Sequence, residues 1–328
     1  MKLIAIEEHF LTPEVRMAWS VSSDAEDPTQ ALHRGELADR LDDLGEGRLR
    51  RMDEAGVDVQ VLSLTTPGLH NLNSFESVTL AQHTNDIVAA AVARQPHRFE
   101  GFAALPTPAP GEAPRELERC VRELGLKGAM LCGRTREKNL DQKDFWPIFE
   151  CAAALNAPLF IHPQIPQRAV REAYYSGFGD EVDLAFSTYG LGWHYEAGIQ
   201  FVRLILAGVF DRFPNLQIIL GHWGEVVLFY LERLAGLNRA AKLDRPFADY
   251  ARQNLYVTAS GMFSPAYLRR AIEIVGVDRI LFSTDYPYQY RPGREARRFL
   301  EGSALDEPEK FAHANWERLT DSPERKQC

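Results

Sequence analysis

The chain alternates short apolar runs with longer stretches in which apolar residues recur at every third or fourth position. Eight of the short runs are rich in β-branched residues and almost uninterrupted, which is the pattern of strands buried on both faces. The predicted strands span residues 2–10, 57–64, 99–106, 125–132, 157–163, 216–222, 254–260 and 279–285. The pattern therefore predicts a fold built around a buried sheet.

Helices are predicted between these strands, where the apolar spacing changes to three and four residues. The clearest predicted helices span residues 75–96, 114–125, 144–156 and 224–241. The first stops at Pro96 and the second at Gly125, and both residue types commonly end helices. Eightfold strand–helix alternation predicts an α/β fold, a (β/α)8 barrel of the TIM type, as one domain over residues 1–328. A doubly wound open sheet would need a glycine-rich phosphate turn after an early strand, and the sequence has none.

Two stretches interrupt the regular alternation. Residues 11–50 form a long polar segment after the first predicted strand, and residues 164–193 form an aromatic, glycine-containing segment after the fifth. Connections of this length in a compact domain are typical of lids and binding loops. We therefore expect long loops after the first and fifth strands to shape a binding site.

The charge and cysteine content narrow the classes of partner and location. The 328 residues carry a formal net charge of -9 without a block of Lys or Arg, which argues against nucleic acid or anionic membrane as a partner. No apolar run reaches the roughly 18 residues of a membrane span, and the first residues lack a signal-peptide pattern. The cysteines are widely separated, which is typical of reduced thiols in the cytoplasm. They are Cys120, Cys132, Cys151 and Cys328.

Metal-binding residue types stand at the ends of several predicted strands. In an α/β barrel these ends meet at the catalytic face. Side chains alternate along a strand, so Glu7 and His9 share one face while Glu8 points the other way. If the Glu7 and His9 side chains point into the barrel mouth, they converge with those of His162 and Asp285. Two imidazoles and two carboxylates are a suitable ligand set for one Zn²⁺ or Mn²⁺ ion.

His222 and Glu225 follow the sixth predicted strand in the segment LGHWGE. They could be a helix-entry histidine and a first-turn acid that suits the helix dipole. They could also be a proton-transfer group and the carboxylate that orients it. Two further histidines, His70 and His194, follow strands or loops in positions that could line the pocket.

Six segments of the chain form a recognisable set of motifs: IEEHF, FAALP, LFIHP, GVFDRFPNLQIILGHWGE, TASGMFS and ILFSTDYP. Together they resemble the decarboxylase branch of the amidohydrolase superfamily, which includes γ-resorcylate, 2,3-dihydroxybenzoate and 5-carboxyvanillate decarboxylases. The resemblance runs from residue 1 to about residue 320, and its most specific feature is the Glu-x-His opening.

The resemblance implies a metal-dependent, non-oxidative decarboxylase of a hydroxylated aromatic carboxylic acid. It implies one divalent metal on the four residues named above. For such a reaction, Asp285 is the candidate acid that protonates the ring carbon before CO₂ leaves. The resemblance also implies that His222 and Glu225 handle protons beside the metal. Arg233 corresponds to a position that reaches a neighbouring subunit's site, which implies a homodimer or homotetramer.

Several residues are expected to contact the substrate ring, although each could equally be a packing residue. They are Trp19, Phe186, Tyr189, Trp193 and Phe263, in addition to His70 and His194. The sequence departs from the family pattern on the substrate side, where TDYP continues as YQYRPGR and where Arg134 and Arg136 follow the fourth strand. These departures leave the identity of the aromatic substrate open.

Two other functions fit the same fold. The first is a metal-dependent hydrolase or lactonase acting on a small cyclic or carboxylated substrate, for which a carboxylated Lys127 would bridge two metals. Glu7 in place of a histidine argues against it, and we expect a packing or salt-bridge role for Lys127. The second is a barrel without catalytic activity, which the complete set of metal-binding and proton-handling residue types disfavours.

Overall fold

Parallel strands form the centre of the fold in the computed structural model, which describes residues 1–21 and 27–321; Cys328 lies outside the described residues. Nine strand segments are found within these ranges: β1 (Ile4–Phe10), β2 (Val59–Leu64), β3 (Phe99–Gly101), β4 (Ala103–Ala104), β5 (Ala129–Cys132), β6 (Leu159–His162), β7 (Ile218–Leu220), β8 (Leu255–Thr258) and β9 (Ile280–Leu281). All eight predicted strands are present. The third is divided at Phe102 into β3 and β4, and most are shorter than the apolar runs that predicted them.

The strands follow one another around the fold in sequence order. β1, β2 and β3 form one parallel sheet, and β4 to β9 form a second. Backbone hydrogen bonds cross both junctions between the two sheets. Phe102 N donates to Leu62 O at 2.9 Å on one side, and Ile6 N donates to Phe282 O at 3.0 Å on the other. The architecture is the α/β fold of a TIM-type barrel, as the strand–helix alternation predicts.

Helices follow the strands and cover the outside of the sheets. The helices of the described residues are α1 (Pro13–Val21), α2 (Glu36–Asp42), α3 (Glu46–Ala55), α4 (Ser74–Arg94), α5 (Ala113–Arg122), α6 (Trp146–Ala154), α7 (Arg168–Tyr174), α8 (Asp180–Ser187), α9 (Gly192–Leu206), α10 (Val209–Arg212), α11 (Val227–Leu234), α12 (Leu237–Ala241), α13 (Phe247–Asn254), α14 (Pro265–Val275), α15 (Glu295–Glu301) and α16 (Asn315–Thr320). Shorter 3₁₀ turns span Pro28–Leu32, Lys143–Phe145 and Val277–Arg279, and a π-helical turn spans Lys310–Ala314. Among these helices none is long and apolar enough to cross a membrane.

The two long connections are more ordered than the sequence indicates. The segment after β1 contains α1, a 3₁₀ turn and α2, and the segment after β6 contains α7 and α8. The predicted helix 224–241 is divided near Gly236 into α11 and α12, and it begins only at Val227. It begins late because Glu225 and Val226 have positive φ angles, which a right-handed helix does not accommodate.

The barrel interior has an apolar layer with a polar layer above it. One buried cluster takes apolar residues from β1, β2 and β5 to β9, and includes Phe160, Ile219, Tyr256 and Leu281. Trp316 of α16 belongs to the same cluster. Because inward positions recur every second residue, the next inward position on each strand lies nearer the catalytic face. Those next positions are His162, Gly221, Thr258 and Ser283, which are small or polar.

A β-bulge aligns the first strand with this arrangement. The pairing of β1 with β2 shifts register between Ala5 and Glu8. Ile4 and Ile6 belong to the apolar interior cluster, so unbroken alternation would turn Glu7 and His9 away from it. The extra residue of the bulge instead brings both side chains to the interior. Bulges commonly re-aim side chains beside active sites in this way.

Glu8 turns away from Glu7, as the alternation predicts, but it is fully buried rather than solvated. Its carboxylate accepts hydrogen bonds from Thr284 N at 2.8 Å, Thr284 Oγ1 at 2.6 Å and Gln60 Nε2 at 2.9 Å. Gln60 in turn accepts from the buried Arg48 guanidinium at 2.7 Å. Glu8 therefore ties β1 to β2 and to the segment after β9, where Asp285 lies.

Candidate active site

Four of the residues singled out in the sequence converge at the catalytic end of the barrel. Glu7, His9, His162 and Asp285 are all buried, and one potential ligand atom of each lies within 4.8 Å of the others. His9 Nε2 is 3.4 Å from Asp285 Oδ1, and His162 Nε2 is 3.8 Å from Glu7 Oε1. These four side chains come from β1, β6 and the segment after β9, so the barrel brings together residues that are far apart in sequence.

The free atoms of this cluster fit a divalent metal ion. Glu7 Oε1 and His9 Nε2 are buried, and neither has a hydrogen-bond partner within the described part of the chain. His162 Nδ1 donates to Pro163 O at 2.8 Å, which leaves Nε2 with its lone pair directed elsewhere. A Cβ atom at Gly221 would lie 3.0 Å from Glu7 Oε1, so glycine keeps space open beside the cluster. Nitrogen and oxygen donors in this arrangement suit Zn²⁺ or Mn²⁺.

Hydroxyl groups hold the Glu7 carboxylate in place. Thr258 Oγ1 donates to Glu7 Oε2 at 3.1 Å, Ser283 Oγ at 3.4 Å, and Ser260 Oγ makes a further short hydrogen bond to the same oxygen. All three contacts fall on Oε2, so Oε1 remains directed toward the other candidate ligands. These hydroxyls belong to the family motifs TASGMFS and ILFSTDYP, but nothing in the sequence indicates that they hold the Glu7 carboxylate.

Burial controls the protonation of the four residues in the metal-free chain. Loss of hydration raises the pKa of Glu7 to about 8 and that of Asp285 to about 7, although nearby His222 opposes both changes. Burial also lowers the pKa of His9 to about 3 and that of His162 well below its ordinary value. Neutral imidazoles are the form that binds metal, and a cation would offset the cost of burying two carboxylates.

A second cluster lies beside the first and consists of His194, His222 and Glu225. His222 Nδ1 and Glu225 Oε1 are 2.6 Å apart, and His194 Nδ1 and Glu225 Oε2 are 2.8 Å apart. Burial alone would oppose ionisation of Glu225, but the two histidines outweigh it and lower its pKa to about 2. Burial likewise disfavours charged His222, but Glu225 outweighs it and raises the pKa of His222 to about 10. The three side chains can therefore hold a proton next to the candidate metal site.

Positive φ angles are concentrated in the segments that carry these groups. They occur at His222, Trp223, Glu225 and Val226 after β7, and at Asp285 after β9. Non-glycine residues rarely adopt such angles, and they cluster at functional sites where the surrounding structure imposes them. Glu225 is thus not the first-turn acid of a helix but part of a tight connection directed at the barrel mouth, since α11 begins only at Val227.

A cavity of about 840 Å³ opens onto both clusters. It is lined by polar groups of the two clusters, including His162, His194, His222, Glu225 and Asp285. Its remaining wall is largely apolar and aromatic: Leu32, Leu37, Tyr189, Leu191, Trp193, Trp223, Val226, Leu228, Phe229, Met262, Tyr267, Ala271 and Tyr288. An apolar cavity with a few convergent polar groups is the usual form of a small-molecule site.

Tyr189, Trp193 and His194 line this cavity, but four other candidates for substrate contact have different surroundings. Trp19 Nε1 donates to Gly68 O at 2.8 Å. His70 is buried and accepts from Cys132 N at 3.1 Å, Phe186 packs edge-on to Tyr175, and Phe263 stacks on Phe282 and Phe299. None of these four is among the residues that line the described cavity.

Four basic residues named in the sequence analysis also lie outside the described cavity wall: Lys127, Arg134, Arg136 and Arg233. Arg134 forms a buried ion pair with Glu196 at 3.1 Å, and Arg136 donates to Leu72 O at 3.0 Å. Lys127 pairs with Asp321 at 3.1 Å, which accords with the salt-bridge role expected for it. Arg233 is exposed on α11, the helix that also carries Phe229 of the cavity rim.

A group of hydroxyl and imidazole side chains near Asp285 was not predicted from the sequence. The Tyr288 hydroxyl is 2.9 Å from His33 Nε2 and 2.5 Å from Thr65 Oγ1, and its ring lies 5.6 Å from that of His9. His33 lies in the long polar segment after β1, and that position by itself indicates a surface or packing residue. The unusual continuation of TDYP as YQY, which contains Tyr288, was the available signal.

Comparisons with known proteins show which family the chain resembles over most of its length. The Amidohydrolase family model matches residues 9–319. The chain is 37% identical over 300 residues to gamma-resorcylate decarboxylase of Polaromonas sp. JS666, a match that covers 87% of this chain and 88% of that protein.

Two solved structures are similar over nearly their whole length. The 5-carboxyvanillate decarboxylase LigW of Sphingomonas paucimobilis superposes with a TM-score of 0.89 at 32% identity, covering 98% of this chain and 99% of that one. A dihydroxybenzoic acid decarboxylase of Polaromonas sp. JS666 superposes with a TM-score of 0.82 at 33% identity, covering 98% and 97%. That enzyme was solved with bound manganese and the inhibitor 2-nitroresorcinol. The similar proteins are thus decarboxylases of hydroxylated aromatic acids.

Proposed function

Since this chain belongs to the amidohydrolase family, we propose that it is a metal-dependent, non-oxidative decarboxylase of a hydroxylated aromatic carboxylic acid. The observation that carries the proposal is the pairing of two clusters at one cavity. The candidate metal ligands Glu7, His9, His162 and Asp285 stand beside a histidine–carboxylate group that can exchange protons. A decarboxylase needs both, because it must orient a carboxylate and protonate the carbon that carries it.

The four ligand residues would hold one divalent ion, which supplies positive charge to bind and orient the substrate's carboxylate and ortho oxygen. Asp285 donates a proton to the ring carbon that bears the carboxylate. The bond between this carbon and the carboxylate then breaks, its electron pair restores the aromatic ring, and CO₂ leaves. His222, supported by Glu225, handles the phenol proton and the reprotonation of Asp285. The same steps in reverse carboxylate a phenol.

Manganese is favoured over zinc as the ion, because a similar enzyme was solved with bound manganese. The mixed set of two imidazoles and two carboxylates accepts either ion. The apolar and aromatic cavity wall supports an aromatic substrate, with Tyr189 and Trp193 as the ring contacts among the predicted residues. A cytoplasmic location, expected from the separated cysteines, belongs to the same proposal.

The proposal predicts CO₂ release from at least one member of a panel of ortho-hydroxybenzoates by protein reconstituted with Mn²⁺ or Zn²⁺. The panel should vary the second ring substituent, because Tyr288, in the unusual segment after β9, lines the cavity. In D₂O the product should carry one deuterium in place of the lost carboxylate, since the acid that protonates the ring carbon exchanges its proton with solvent. Metal-loaded protein that releases no CO₂ but opens lactones or esters would instead support the hydrolase alternative.

We also propose that the enzyme is a homodimer or a dimer of dimers in which Arg233 reaches the neighbouring subunit's site. Large apolar side chains are exposed around the cavity mouth, and a second subunit would cover them. Phe229 and Tyr230 on α11 are 79% and 44% exposed, and Tyr267 is 50% exposed. Arg233 lies on the same helix as the first two.

Mixing two defective variants tests this arrangement. Asp285→Asn and Arg233→Ala subunits should each be nearly inactive alone, because one lacks the proton donor and the other lacks the arginine that it would give its neighbour. After co-expression, each mixed dimer contains one site with an intact Asp285 and an intact incoming Arg233. Recovery of CO₂ release in the mixture supports the shared site. A fully active Arg233→Ala protein would contradict it.

A further inference from the structure

His194 has a position that neither the metal ligands nor the proton-handling pair explains. It lies in the first turn of α9, and its imidazole lines the cavity. Its Nδ1 is 2.8 Å from Glu225 Oε2, while His222 Nδ1 is 2.6 Å from the other oxygen of the same carboxylate. The two imidazole rings meet edge to face at 4.5 Å. Each oxygen of the Glu225 carboxylate is therefore hydrogen-bonded to one imidazole.

His194 has contacts on both ring nitrogens. Because a carboxylate can only accept, His194 Nδ1 donates its hydrogen to Glu225 Oε2. His194 Nε2 lies 3.2 Å from Trp193 Nε1 and 3.3 Å from the Tyr189 carbonyl oxygen. Both oxygens of Glu225 thus have imidazole partners inside the cluster, whereas Glu7 Oε1 and His9 Nε2 of the metal site have no hydrogen-bond partner among the described residues.

Glu225 lies on an irregular connection and not in a regular helix. His222, Trp223, Glu225 and Val226 all have positive φ angles, and the regular helix α11 starts only at Val227. A glutamate has three rotatable side-chain bonds, so a carboxylate on such a connection needs contacts on both oxygens to keep one orientation. His222 supplies one contact and His194 supplies the other.

Helix α9 is fitted to Glu225 through a second residue. Gly198 lies four positions after His194, which places it on the same face of the helix. A Cβ atom at Gly198 would lie 2.3 Å from the Glu225 carbonyl oxygen, so the helix backbone packs directly on this residue. His194 holds the carboxylate while Gly198 accommodates the carbonyl.

We propose that His194 is a positioning residue that orients the Glu225 carboxylate, so that its other oxygen holds His222 with Nε2 available to the substrate. This inference rests on the proposed decarboxylase function for its kinetic consequence. Its structural part, the orientation of His222 by way of Glu225, holds in the chain without substrate.

Substitutions of His194 that replace only one of its two ring nitrogens by an amide nitrogen test the proposal. The amide nitrogen of asparagine occupies roughly the place of imidazole Nδ1, and that of glutamine the place of Nε2. We expect His194→Ala to lower kcat by about tenfold to a hundredfold with little change in KM, the usual cost of losing an orienting partner. His194→Asn should recover most of the rate and His194→Gln should not. His97→Ala, at an exposed histidine, should behave like the wild type.

A second measurement needs no turnover. Ring-nitrogen NMR spectra of protein labelled with ¹⁵N-histidine report the hydrogen bond of His222 Nδ1 directly. His194→Ala should shift this signal, and His194→Asn should leave it near its wild-type position. Gly198→Ala, which pushes α9 away from Glu225, should cause the same shift as His194→Ala. Gly111→Ala is the matched control because its Cβ meets nothing within 4 Å.

The two measurements separate the failure of this proposal from the failure of the proposed function. If no substrate is decarboxylated by the wild type, the decarboxylase proposal fails, but the His222 signal still tests the orienting role. An unchanged His222 signal in folded His194→Ala protein would overturn the role of His194. Equal rates for the alanine, asparagine and glutamine variants would overturn it as well.

Discussion

Asp285→Asn is expected to lower the rate of CO₂ release by about a thousandfold or more, the upper range for loss of a general acid. Asparagine keeps the size of the side chain and an oxygen that can still face the metal, but it has no acidic proton to give the ring carbon. Rates should be measured on metal-reconstituted protein, with the metal content of each preparation determined alongside. A variant that holds metal and binds substrate but releases no CO₂ would assign the proton to Asp285.

The matched control is Asp278→Asn, close in sequence but before β9 rather than after it. Asp278 pairs with Lys310 at 3.1 Å, and its side chain is 57% exposed. This substitution should leave the rate within about twofold of the wild type, because an exposed ion pair contributes little. Asp285→Asn protein that retains a tenth or more of the wild-type rate would contradict the role of Asp285 as the acid.

The second large effect concerns the adjacent glutamates of the first strand. Glu7→Gln should weaken Mn²⁺ binding by more than about a hundredfold, since even outer partners of metal ligands contribute tenfold to a hundredfold. The metal-free variant should be at least as stable as the wild type, because its amide nitrogen can replace the unpaired Oε1 while its oxygen keeps the hydroxyl contacts of Oε2. Calorimetric metal titration and thermal unfolding with and without Mn²⁺ measure the two effects.

Glu8→Gln is the control, and its expected behaviour is the opposite. Its amide would direct a donor at Gln60 Nε2 or at the Thr284 donors, where the carboxylate now accepts hydrogen bonds. Leaving such buried donors unpaired costs about 1–3 kcal/mol of unfolding free energy. Glu8→Gln protein should therefore unfold more easily yet still bind Mn²⁺. Loss of metal in Glu8→Gln together with retention in Glu7→Gln would reverse the assignment of the two residues.

The number and order of the strands could be predicted from the sequence. Buried parallel strands produce continuous apolar runs, and all eight runs contain strands. The four candidate metal ligands are also recognisable, because histidines and carboxylates stand where buried runs end. The residues at which the strands end could not be predicted as well. Asp285 lies beyond the last residue of β9 and His222 beyond β7, since the backbone leaves the strand pairing before the apolar character ends.

Contacts with substrate were the weakest part of the prediction, because aromatic residues in long segments pack in several ways. Tyr189 and Trp193 line the cavity, whereas Phe186 packs on Tyr175 and Phe263 stacks on Phe282. The segments that carry these residues fold into short helices, and the direction of each side chain depends on what the helix packs against. Composition and spacing contain no information on that packing.

By itself, the sequence determined the strand–helix alternation, the residue types at the strand ends and the family motifs. These are local features, set by side-chain periodicity and by residue identity. Only the tertiary structure decided that a β-bulge turns Glu7 and His9 inward, that Glu225 joins His194 to His222, and that His33 meets Tyr288. Each of these depends on irregular backbone or on packing between segments distant in the chain, which no local pattern of residues specifies.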